Sequence, residues 1–174
     1  FRSGLSPDTL LAFGTGAGRI VSGCFSDTGT TRAHYVPGQR VGVNVGVELG
    51  HRLMAPSISL VLHDHRMIVI SGKQIRVESV VPAGSSGGVV SVAFDFVPAL
   101  QAASYFITLK LEDQPSPQQT LLIDKQSGVL MFEIMAADNP GFLGLVDMNI
   151  TARILDGDDS DPSPAGASRH SGAG

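Results

Sequence analysis

The nine residues Val41-Gly42-Val43-Asn44-Val45-Gly46-Val47-Glu48-Leu49 carry an apolar side chain at every odd position and a small or polar one at every even position. Successive side chains of an extended chain point to opposite faces, so this stretch reads as a strand with one face toward a core and the other low and open. The same period of two recurs further on. Val90, Val92, Phe94 and Phe96 oppose Ser91, Ala93 and Asp95, and Tyr105, Ile107, Leu109 and Leu111 oppose Phe106, Thr108 and Lys110. From Gly18 onward such stretches are separated by turns rich in Gly, Pro, Asp and Ser. Candidate strands are 19–27, 40–49, 57–63, 68–74, 89–97, 105–112, 120–124, 129–135 and 145–155, spaced as in a sandwich, so the fold class is all-β.

A chain of 174 residues with 43% hydrophobic content suffices for one domain plus tails. Residues 1–12 read as the end of a linker from an upstream domain, 13–155 as the β-sandwich, and 156–174, which offer nothing to bury, as a disordered tail. The chain starts with Phe1 and carries no signal-peptide pattern, as expected of a piece of a longer protein. No window approaches the ~18 uninterrupted apolar residues of a membrane-spanning helix. The formal charge of -4, with scattered lysines and arginines, argues against a nucleic-acid partner. The one cysteine, Cys24, excludes an internal disulfide, fits a reducing compartment and reads as a small buried hydrophobe.

Catalytic patterns fail one after another. There is no phosphate-binding Gly-x4-Gly-Lys-Ser/Thr loop, and Gly14-Thr15-Gly16-Ala17-Gly18 lacks the third glycine of a dinucleotide fingerprint, so those glycines read as a tight start to the first strand. No Gly-x-Ser-x-Gly elbow is present, and Asp64, Glu78, Asp95, Glu112, Asp113 and Glu133 all fit exposed positions. His63 and His65 would share one side of a continuous strand, but no third ligand follows at the spacing a metal needs. Asp156, Asp158 and Ser160 imitate the start of a calcium loop whose sixth position is Asp161 and twelfth Ala167. Neither enzyme activity, nor a cofactor, nor a metal is expected.

The run Phe13-Gly14-Thr15-Gly16-Ala17-Gly18-Arg19-Ile20, followed by short alternating strands and closed by Gly144-Leu145-Val146-Asp147, resembles the C-terminal carbohydrate-binding domain of Wzt-type ATP-binding proteins, which serve ABC transporters exporting O-antigen polysaccharide. That resemblance implies an immunoglobulin-like (Ig-like) β-sandwich that recognises the non-reducing terminus of a glycan without catalysis. It also implies an upstream ATPase domain, a membrane subunit as partner, and a cytoplasmic place at the inner face of the bacterial inner membrane. The segment Ala136-Ala137-Asp138-Asn139-Pro140-Gly141-Phe142 permits the last strand either to fold back or to cross to a neighbour, and the resemblance implies the second, a strand-exchanged homodimer. Residues Pro98–Ala103 resemble the connection before the final hairpin of Ig-like sandwiches, where a tyrosine such as Tyr105 anchors a corner.

Sugar recognition needs hydrogen-bonding side chains around an apolar platform for the C–H face of a ring. In a chain with no Trp, the platform falls to Tyr35, Phe106, Phe142 or the flat Gly42/Gly46 surface. Polar candidates are Asn44, His63, His65, Arg66, Lys73, Gln74 and Lys110, the basic ones favoured by an anionic terminus. The rival expectation is a structural sandwich whose Gly42/Asn44/Gly46 face is a protein interface. A third is a cupin-like metal enzyme built on His63 and His65.

Overall fold

The computed structural model describes residues 17–50, 53–77, 89–136 and 142–151. They form eight strands: β1 (Gly18–Phe25), β2 (Arg32–Tyr35), β3 (Val41–Leu49), β4 (Pro56–His63), β5 (Val69–Arg76), β6 (Val89–Phe96), β7 (Ser104–Ser116) and β8 (Gln119–Ile134). A three-stranded sheet ordered β1-β3-β6 packs on a five-stranded sheet ordered β2-β8-β7-β4-β5, giving the expected all-β, immunoglobulin-like sandwich. All pairs are antiparallel except β2 with β8. Among the described residues no helix is long and apolar enough to cross a membrane.

The period-two stretches line the core as their alternation requires. Val41, Val43, Val45, Val47 and Leu49 are buried, and Ile58, Leu60 and Leu62 of β4 meet Ile107, Leu109 and Leu111 of β7 beneath them. Phe132 of β8 is the hub of an aromatic cluster: its ring lies 6.1 Å from Phe25, 6.0 Å from Tyr35, 6.2 Å from Phe96 and 5.5 Å from Tyr105. The Tyr105 hydroxyl donates to the Gln101 carbonyl at 2.9 Å, so the anticipated tyrosine corner is present. Burial, reinforced by the charge of Asp64, pushes the Tyr105 pKa up and keeps this donor protonated. Tyr35 is shifted the same way by burial and by its bond to Asp27.

Several sequence expectations are corrected here. Residues 120–124 and 129–135 belong to one strand, β8, which passes through a bulge where Gly128 adopts φ 58°, a left-handed value open to glycine. The short β2 was not anticipated. The expected strand 145–155 is absent as far as the chain is described: residues 142–151 make one isolated bridge, Leu100 to Val146, and Gly144 and Asn149 both have positive φ. Asp64 and Asp113, expected on the surface, are buried. Each carboxylate replaces water with backbone amides: Asp113 accepts from Met54 and Ala55, and Asp64 from Arg66 and Ile68. Cys24 is half-buried on an outer face rather than in the core. The expected linker 1–12, the start of the domain at 13–16 and the tail 156–174 lie outside the described residues.

The two sides of the sandwich close differently. On one side β1 bulges between Ile20 and Ser22, and β8 seizes the exposed backbone with side chains: Asp124 accepts from Ile20 N–H at 2.8 Å and Gln126 donates to Ile20 C=O at 2.9 Å. On the other side β6 is an edge without a strand partner among the described residues.

Tyr105→Phe removes the corner bond and keeps the ring, so a loss of about 1 kcal/mol is expected, read as a lower urea midpoint at unchanged slope. Asp113→Ala leaves the Met54 and Ala55 amides without their acceptor and is expected to cost about 1–3 kcal/mol by the same measurement. Wild-type midpoints in both variants would show that these bonds do not hold the two connections in place.

Candidate functional site

Register sorts the outer face of the five-stranded sheet into rows that cross it. One row runs Gln74, Ser59, Lys110, Lys125 through β5, β4, β7 and β8. The next contains Gly72, Val61 and Thr108, and ends at Gly128, whose N–H donates to Thr108 Oγ1 at 3.2 Å. The third runs Val69, His63, Phe106, Met131 and Arg32. Thr108 is buried and two of its row-mates are glycines, so the middle row is a shallow trough between two taller rows. Its walls differ: one is polar and basic, the other apolar around the half-buried ring of Phe106.

Phe106 is half-buried, and a Cβ on Gly128 would make ordinary van der Waals contact with its ring at 3.9 Å. His63, beside Phe106, is buried, and its Nδ1 donates to the Met67 carbonyl at 3.2 Å. Nε2 is buried and has no hydrogen-bond partner among the described residues. Gln74 is tied down, donating to Ser57 at 2.8 Å and to Glu112 at 3.1 Å. Lys110 reaches this face about 14 Å along β7 from Phe106, four residues at roughly 3.4 Å each.

Four of the eight anticipated site residues, His63, Gln74, Phe106 and Lys110, therefore share one face. The others do not join them. Asn44 lies on the outer face of the opposite sheet, opposite Cys24 and Ala93. Lys73 stands opposite Leu60, so it points to the groove side of β5 while its neighbour Gln74 points outward. His65 and Arg66 occupy an exposed turn beyond the end of β4, where Asp64 caps the backbone and Met67 takes φ 61°. The continuous strand that would have aligned His63 with His65 ends at His63. Among the described residues no group of three or more His, Cys, Asp or Glu is placed to hold a metal.

Of the proposed platforms, Tyr35 is buried in the aromatic cluster and closed to a ligand. Phe142 is half-buried near the C-terminal segment, away from the rows. The Gly42/Gly46 surface is occupied by the hydroxyls of Ser26 and Ser22. Lys125 and the Thr108–Gly128 trough were not anticipated, because pairing Lys110 with a residue beyond the hairpin depends on two register shifts between β7 and β8, and placing Gly128 beside Thr108 on a third. A separate groove of about 540 Å³ opens between β5 and β6, with Leu60, Leu62, Phe94, Phe96 and Leu100 on its walls and Val146 at its margin.

A protein-family model described as the Wzt C-terminal domain matches residues 11–148. No curated protein matches the chain. Among solved structures the chain is similar to one described as "Crystal structure of the C-terminal domain of wzt", with a TM-score of 0.64 and 12% identity, covering 82% of this chain and 87% of that one. At that identity the likeness bears on the fold alone. The family match extends over well more than half of the sequence, and the sandwich agrees with it: the chain belongs to the Wzt C-terminal domain family, a domain of Wzt-type transporters.

Proposed function

We propose that this domain is a non-catalytic carbohydrate-binding module that recognises the non-reducing terminus of an O-antigen-type polysaccharide and couples chain completion to export by an ABC transporter. The observation that carries the reading is the amphipathic trough on the five-stranded sheet. Phe106 offers a C–H platform on one wall, and Gln74, Ser59 and Lys110 line the other. A pyranose has the same division, with apolar C–H faces and a rim of hydroxyls. The reading includes an upstream ATPase domain, a membrane subunit and a cytoplasmic place at the inner membrane, which the family's transporter context supports.

The reading includes a homodimer that exchanges C-terminal strands. Three features support it. β6 is an edge without a strand partner among the described residues, the groove beside it has apolar walls, and Met148 and Ile150 stand 75% and 87% exposed on the segment that reaches its margin at Val146. Free strand edges and uncovered alternate apolar side chains are the two halves of a strand-addition site.

Calorimetric titration with the complete polymer, beside the same polymer lacking its terminal group, tests the function. Binding to the complete polymer alone is expected, and equal binding to both rejects terminus reading. Phe106→Ala should weaken binding about tenfold, or ~1.4 kcal/mol, with no change in urea midpoint comparable to a core truncation. Light scattering on the separated protein should give twice the chain mass, falling to one chain in Met148→Asp/Ile150→Asp. A wild-type monomer rejects the exchange.

A further inference from the structure

The end of the sandwich at which β1 begins leaves large apolar side chains open. The Ala17 carbonyl accepts from Gly50 N–H at 2.7 Å, one step beyond the β1–β3 ladder, and a Cβ on Gly50 would collide with that carbonyl. The entering chain therefore lies hard against the start of the connection from β3 to β4. That connection crosses to the other sheet over the same end: Leu53 Cδ1 would lie 3.4 Å from a Cβ on Gly18, and Met54 and Ala55 give their amides to Asp113 of β7. Leu121 of β8 stands opposite Asp113 in the β7–β8 ladder. Ala17 and Leu53 pack on the core from this end and Asp113 is buried, yet Met54 is 74% and Leu121 42% exposed. Both exposed side chains belong to residues placed directly beside a buried carboxylate.

We propose that the apolar run Leu10-Leu11-Ala12-Phe13, which precedes Ala17 in the sequence, is the occupant of this end and lies over Met54 and Leu121. The family match begins at residue 11, so the pattern that defines the domain takes in residues 11–16. Four residues from Ala17 back to Phe13 span at most about 14 Å, and the Leu53 side chain already lies against Gly18, so Phe13 has the reach to meet Met54. A segment tethered that closely acts at a millimolar effective concentration, so a few apolar contacts suffice to seat it; a separate partner must first offset its lost translational freedom. Seated there, the run screens the Asp113 carboxylate and its two amide donors from water. Residues 10–12 are then part of the domain's cover and not of a linker, and whatever is joined ahead of them is carried in a fixed direction from the sheets. The inference does not depend on sugar binding.

The chain has no Trp, so Phe13→Trp in the 174-residue protein supplies a single emission probe. The covered indole is expected to emit at shorter wavelength than free N-acetyltryptophanamide and to resist acrylamide quenching, both independently of protein concentration. Adding Met54→Asp/Leu121→Asp should move the emission to that of the free amide. Adding Val36→Asp instead, at a residue 57% exposed beyond the end of β2, should leave it in place. In urea unfolding, Leu11→Ser/Phe13→Ser should raise the unfolding constant about tenfold in the wild-type background and less than about twofold in the Met54→Asp/Leu121→Asp background. Emission at the free-amide position from folded Phe13→Trp, or equal losses in both backgrounds, overturns the docking. A short-wavelength emission that fades on dilution assigns this end to a second copy of the chain and overturns it as well.

Discussion

The ring of Phe132 holds the two layers together. It belongs to the five-stranded sheet, yet two of its four aromatic neighbours, Phe25 and Phe96, come from the edge strands of the three-stranded sheet. Tyr35 and Tyr105 flank it within its own layer. Each such contact adds about 0.5–1.5 kcal/mol beyond burial, and their directions are fixed by ring geometry, so the cluster sets the separation and mutual angle of the sheets as well as their attraction. The short β2 is explained by this cluster: four residues suffice to lay Tyr35 against Phe132 and Phe25, and its ladder with β8 follows.

The trough depends on that arrangement from behind. Phe132 is flanked in β8 by Met131, which faces outward beside Phe106. Burying one residue thus presents the next, and the same alternation carries the inward Leu109 and Leu111 around the outward Lys110. At Gly128 the strand departs from regular pairing, and the ladder on its hairpin side sets Lys125 opposite Lys110. Core packing and the proposed binding face are two sides of one register.

What the sequence showed and what it hid divide along physical lines. Strands β3, β4, β6 and β7 were legible because each has one buried face, and a period of two is the direct imprint of that burial. Strand β8 looked like two because Lys125-Gln126-Ser127-Gly128 interrupts the apolar pattern; in the fold Gln126 is used to hold β1 and Gly128 to form a bulge. The placement of Phe106 and Lys110 on one side of a strand was readable from their spacing alone. That Lys73 and Gln74 are neighbours meant that a flat strand could offer only one of them to a given face. Which sheet received Asn44 was not readable, since pairing order leaves no trace in periodicity. Asp64 and Asp113 looked solvated because a carboxylate gives no sign of the backbone amides that will surround it.

The closure of β1 by Asp124 and Gln126 also fixes how many connections the three-stranded sheet can make. Side chains have taken the backbone positions of Ile20 that another strand would have needed, while β6, at the far edge, has no strand partner among the described residues. Two free edges on one sheet would let copies add head to tail without limit, the geometry of a fibre. With Ile20 so engaged, β6 is the edge of this sheet left for strand addition among the described residues. Any association made through it in a symmetric, reciprocal manner consumes both available edges and stops at two chains. The hydrogen bonds at Ile20 thereby favour β6 over β1 as the edge through which the proposed exchange would run.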